Sequence, residues 1–78
     1  MDDTERKRRI ALVTQVLSGL TAAEALSVLR EVAMHRAELL KGGVYRKAWM
    51  ALHDKIAAVW AMALDAERAE NAKQRIDE

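Results

Sequence analysis

The sequence predicts an all-α fold, a three-helix bundle-like protomer with a long third helix that forms a dimer or higher oligomer. Three observations carry this. The chain has no proline and only three glycines, and between those glycines apolar residues recur at helical spacing. The third segment, from Tyr45 to about Ala66, has an apolar face covering about half of its circumference, where a two-helix contact needs a stripe of only about 100°. A chain of 78 residues with no cysteine also has few ways to stabilise itself, since disulfides and Cys/His zinc sites are excluded and association is the remaining common staple.

The first helix is expected to start near Asp3 or Thr4 and to run to Ser18. Ile10, Val13, Val16, Leu17 and Leu20 repeat at its spacing, and Gly19 supplies the left-handed residue that ends it. Thr21 with Glu24 reads as a capping box, each side chain satisfying an orphan amide at the start of the second helix. That helix continues through Leu26, Leu29, Val32, Ala33, Ala37 and Leu40 to Lys41, whose charge suits the helix end. Gly42 and Gly43 stop it. The third helix begins at about Val44 with nothing to interrupt it.

Two seams run along the third helix. Trp49, Leu52, Ile56, Val59, Ala63 and Ala66 alternate by three and four, and His53, Ala57, Trp60 and Leu64 lie beside them. Two seams imply two neighbours. The expected oligomer interface is accordingly Trp49, Leu52, His53, Ile56, Val59, Trp60, Ala63 and Leu64. The chain divides into a single helical domain, 1–66, and a projecting, partly frayed helical tail, 67–78, where alternating charges and alanine replace the large apolar residues.

Charged residues are 32% of the chain and nearly balanced at net +1, which argues against a purely electrostatic nucleic-acid binder and against intrinsic disorder. Two basic groups nevertheless stand out. Arg6, Lys7, Arg8 and Arg9 oppose the macrodipole of the first helix, and phosphate contacts would explain them. A solvated first turn, with Glu5 pairing to Arg9 at i,i+4, explains them as well. Lys41, Arg46 and Lys47 bracket the glycine turn. A helix-turn-helix reading fits poorly, because the third helix would put tryptophans and Ile56 where polar base-reading residues belong.

Glu31, His35 and Glu38 share a helix face, but the other helices offer no matching inward carboxylates for a di-metal site. No serine or threonine has a base at useful spacing, and Gly42-Gly43 lacks the further glycines of a phosphate loop. Neither catalysis nor a cofactor or metal is therefore expected. The basic start and apolar run of Ile10 to Leu20 outline a signal peptide, but acidic residues before the run and polar residues within it disagree. The longest apolar stretch is far short of the ~20 residues that span a bilayer. The sequence thus predicts a cytoplasmic homo-oligomeric interaction module, open to a further protein partner and without a membrane role. The alternative is a small nucleic-acid-associated protein using residues 6–9 and the 41–47 cluster.

Overall fold

In the computed structural model, residues 1–77 are described, with side chains through Lys73. Among the described residues the chain forms α1 (Asp3–Val16), α2 (Ala22–Glu38) and α3 (Val44–Asp77), with no strand. The all-α expectation holds. Each boundary has a local cause. Asp2 caps α1 by accepting from the Glu5 amide at 2.8 Å, satisfying one of the donors that a helix start leaves without an intrahelical partner. The capping box on α2 is fully formed. The Thr21 hydroxyl accepts from the Glu24 amide at 3.2 Å, and the Glu24 carboxylate accepts from the Thr21 amide at 2.9 Å.

The first two helices end slightly earlier than their apolar spacing suggests. The amide of Ser18 bonds to the Gln15 carbonyl and that of Leu40 to the Ala37 carbonyl, so the last turns tighten to i→i−3 before the glycines take over. Gly19 at φ 83° and Gly43 at φ 93° occupy the region that L side chains avoid. Both turns depend on that freedom.

Packing departs from the expected bundle. Among the described residues, α2 and α3 are the helix pair in contact, and α1 contacts neither of them. The protomer is a helical hairpin with a detached first helix. The physical reason lies in α1 itself. Ile10, Leu12, Val13 and Val16 are exposed and spread over nearly half the helix circumference at about 100° per residue. Arg6 and Arg9 line the same shallow hollow as Ile10, Val13 and Leu17, so seating this stripe on the hairpin would draw guanidinium groups toward an apolar surface.

The hairpin core is equally informative. Among the described residues its buried apolar members are Ala23, Ala33 and Ala37, all on α2, and no large side chain is fully buried. Small residues along the contact let two helices approach toward the lower end of the usual ~8–10 Å separation. Long side chains at the margins then cover the seam. Leu26, Arg30 and Met34 of α2, Leu40 just past its end, and Trp49, His53, Ile56, Trp60, Ala63 and Leu64 of α3 are half-buried.

The α3 helix is 34 residues long, which at ~1.5 Å per residue gives about 51 Å. That length sets the long dimension of a molecule measuring 51 × 30 × 15 Å. Past Glu67, residues Arg68 to Lys73 are exposed. The fraying expected toward Glu78 lies outside the described residues.

Because Ala33 and Ala37 are each only 1% exposed, enlarging either one should force the helices apart. Ala33→Leu is expected to destabilise the hairpin by about 1–3 kcal/mol. Urea unfolding followed by circular dichroism at fixed protein concentration checks this, and unchanged stability would contradict an alanine-determined contact.

Candidate functional site

The surfaces of the hairpin follow from what α2 covers on α3. Half-buried on α3 are Trp49, Met50, His53, Ile56, Ala57, Trp60, Ala63, Leu64 and Glu67, of which Trp49, His53, Ile56, Trp60, Ala63 and Glu67 alternate by four and three as in a helix–helix seam. Its counterpart is Ala23, Leu26, Arg30, Ala33 and Ala37 on α2, continued by Leu40 just past its end, with a three-and-four alternation. These two seams meet within one chain.

Three polar contacts finish the seam. The Arg30 guanidinium lies 4.8 Å from the centroid of the Trp60 ring and that of Arg36 lies 5.3 Å from Trp49. Both are within cation–π range, and each arginine stem shields an indole from water. At the open end, the Glu67 carboxylate accepts from the Ala23 amide at 3.0 Å. This satisfies an orphan donor of α2 and sets a negative charge at the positive helix end. Glu67, assigned to the tail by sequence division, is thus joined to the hairpin.

The residues expected at an oligomer interface therefore separate into two sets. Trp49, His53, Ile56, Trp60, Ala63 and Leu64 are partly covered by α2. Leu52 and Val59 are left 44% and 49% exposed. Sequence spacing placed Leu52 and Val59 in one seam with Trp49 and Ile56. Three-dimensional packing selects a line rotated away from them, because the contact turns toward Trp60 and Glu67. Tyr45 and Met62 join the uncovered set, as do Val28, Val32 and Leu39 on α2.

A charged region lies on another side of the hairpin. His35 is 3.8 Å from Glu31 and 3.7 Å from Glu38, and all three line a shallow hollow with Arg30, Met34 and His53. His53 Nδ1 is 3.1 Å from the carboxylate of its neighbour Asp54. Among the described residues, no group of three His, Asp or Glu side chains is arranged to hold a metal ion. These are exposed polar contacts of small energetic weight.

The basic groups sit on different elements. Arg6, Lys7, Arg8 and Arg9 are exposed on α1, where Arg9 donates from Nε and Nη2 to one Glu5 oxygen at 3.1 and 2.9 Å. This is the i,i+4 pair that the sequence suggests. Lys41, Arg46 and Lys47 are exposed around the hairpin tip, and Arg46 and Lys47 line a hollow with Gly42 and Gly43. Since α1 touches neither α2 nor α3 among the described residues, no helix packing ties the two clusters together.

Sequence reasoning missed Arg30, Arg36 and Glu67. Arg30 had a legible signal, since it occupies a seam position between Leu26 and Ala33. Glu67 had a weaker one, seven residues after Trp60. Comparison with protein families, curated proteins and solved structures found no match for this chain.

Trp60 combines the largest side chain of the seam with a stacked arginine, so Trp60→Ala should lose both transfer energy and cover for the alanine core. The expected cost is about 3 kcal/mol. Arg30→Ala should cost about 1 kcal/mol and shift indole emission to the red. Fluorescence-monitored urea unfolding of the two variants measures both effects, and an unmoved emission maximum in Arg30→Ala would remove the stacking account.

Proposed function

We propose that this chain is a small helical self-associating protein-protein interaction module, an accessory protein of the cytoplasm that carries out no catalysis. One observation carries the reading: the protomer is a single layer of helices. Two helices in contact define one plane, and among the described residues the third packs on neither face of it. Stable domains are built from at least two layers around a shared core.

The surface area gives the same result in other units. The chain exposes 6632 Å², whereas a compact monomer of 8.8 kDa exposes about 4,800 Å². The excess is roughly 1,800 Å², more than the ~800 Å² per partner removed by a standard interface. The radius of gyration, 16.0 Å, compares with about 11.5 Å for a compact domain of this length. Exposed apolar residues on all three helices make association the natural way to bury that surface. A further protein partner could seat on whatever the homo-oligomer leaves open. No described helix is long and apolar enough to cross a membrane.

The second reading, a nucleic-acid-associated protein, is favoured by the exposure of Arg6, Lys7 and Arg8 on a helix without contacts to the hairpin. It requires measurable DNA or RNA affinity that falls steeply with added salt and falls further when residues 6–9 are neutralised. Fluorescence anisotropy with labelled duplex and single strands across a salt series measures this. Tight binding abolished by those substitutions would replace the interaction-module reading.

Self-association has its own direct measurement. Sedimentation at micromolar concentration should return a multiple of 8.8 kDa, and the thermal midpoint should rise with protein concentration. A cooperatively folded monomer whose midpoint is independent of concentration would end the proposal.

A further inference from the structure

We infer that a second copy of this chain seats antiparallel on the face built jointly by the outer seams of α2 and α3, about a two-fold axis passing between Leu52 and Val59. The inference rests on the self-association proposed above and names its surface, its occupant and its direction.

The face follows from helix geometry. On α3, Tyr45, Leu52, Val59 and Ala66 recur every seven residues, which at about 100° per residue puts them in one gently drifting line. That line lies about 80° back from the direction of α2, counted in the sense of the chain. Val28 and Val32 on α2, with Leu39 at its C-cap, lie about 150° back from the direction of α3 in the same sense, toward the outer edge of the hairpin. The two helices run in opposite directions, so equal senses of rotation bring both outer seams to the same side of the hairpin. Independent contacts agree. Arg36 reaches over Trp49 at 5.3 Å, and Arg36, Leu39, Tyr45 and Trp49 line one hollow. The opposite side carries Glu31, His35 and Glu38. One face is therefore apolar apart from Arg36, which lies over Trp49, and the other carries the charged and polar groups.

The occupant follows from area and from side-chain size. A second copy laid on this face turns one helical layer into two, and the chain as a whole, α1 included, exposes roughly 1,800 Å² more than a compact monomer, against the ~800 Å² per partner of a standard interface. An antiparallel seat sets Leu52 against the partner's Val59 and Tyr45 against the partner's Ala66. Each large side chain then meets a smaller one, as close packing requires. A parallel seat would oppose Tyr45 to its own copy and Ala66 to its own copy, leaving a bulge at one end and a gap at the other. Antiparallel helices also oppose their dipoles favourably. Lys55, exposed at the seam's edge, lays its aliphatic stem along the interface with its ammonium in water.

The test uses the full chain and begins with Leu52→Glu/Val59→Glu. Both positions are already exposed in the protomer, so the variant should keep its helical circular dichroism. Its dissociation constant by sedimentation should rise by roughly a hundredfold, because unpaired carboxylates would be buried at the centre of the interface. Ala58→Glu, at an exposed position away from the face, should leave association unchanged. Direction is read separately. The chain has no cysteine, so an equimolar mixture of Tyr45→Cys and Ala66→Cys can be treated with a short bis-maleimide. Cross-links between the two variants are expected, and cross-links within each variant alone are not.

The outcomes separate the inference from the reading beneath it. A monomeric wild-type chain defeats both. An oligomeric wild type whose Leu52→Glu/Val59→Glu variant still associates, through α1 or a charged face, overturns the surface and leaves self-association standing. Cross-links only within each variant overturn the antiparallel seat. Cross-links between the variants support it even if the glutamate variant fails to fold.

Discussion

The close contact of α2 with α3 through Ala23, Ala33 and Ala37 is the constraint from which the rest of the structure follows. Alanine contributes little buried area of its own, and its value is positional because it allows the helix backbones to come near each other. Larger residues cannot fit between the helices, so the aromatic and aliphatic bulk sits at the margins. Trp49 and Trp60 lie there under Arg36 and Arg30, with the guanidinium planes serving as polar lids. The seam is held by a narrow dry strip and a broad amphipathic border.

This arrangement has a consequence for stability. A hairpin whose buried residues are alanines, with no large side chain fully buried, gains little from transfer of apolar surface, since that gain scales with area at about 25 cal/mol per Å². The local devices around it are well made. The Asp2 cap, the Thr21–Glu24 box and the Glu67 contact to the Ala23 amide satisfy helix starts that would otherwise rely on water. Local order and tertiary weakness thus coexist: the helices are individually well specified, while the protomer alone lacks the second layer that would bury their remaining faces.

Electrostatics acts on this molecule chiefly through position. Arg6 and Arg9 border the apolar stripe of α1, which disfavours its burial against the hairpin. Glu31, His35 and Glu38 give one side of the hairpin an exposed polar surface, leaving the other side, apart from Arg36, as the more apolar one. The near-zero net charge of +1 presents little long-range repulsion between copies. Charge here directs which surfaces meet and supplies little binding strength of its own.

Much of the local structure was legible in the sequence. Helix identity, the glycine stops at 19 and 42–43, and the Thr21–Glu24 box depend on neighbours within a few residues, where backbone sterics and short-range hydrogen bonds decide the outcome. The excess of apolar face on the third helix was equally legible, because it depends only on angular spacing. Which part of that face turns toward α2 was not. Trp49, Leu52, Ile56 and Val59 share a plausible repeat, yet the contact runs through Trp49, His53, Ile56, Trp60 and Glu67 and leaves Leu52 and Val59 outside. That choice belongs to the tertiary structure: it is made by how closely the alanines of α2 let α3 approach and by where two arginines and one glutamate find partners. The separation of α1 from the hairpin is of the same kind. Its apolar spacing is helical, but whether such a stripe is buried depends on the guanidinium groups beside it and on the surface offered to it in three dimensions.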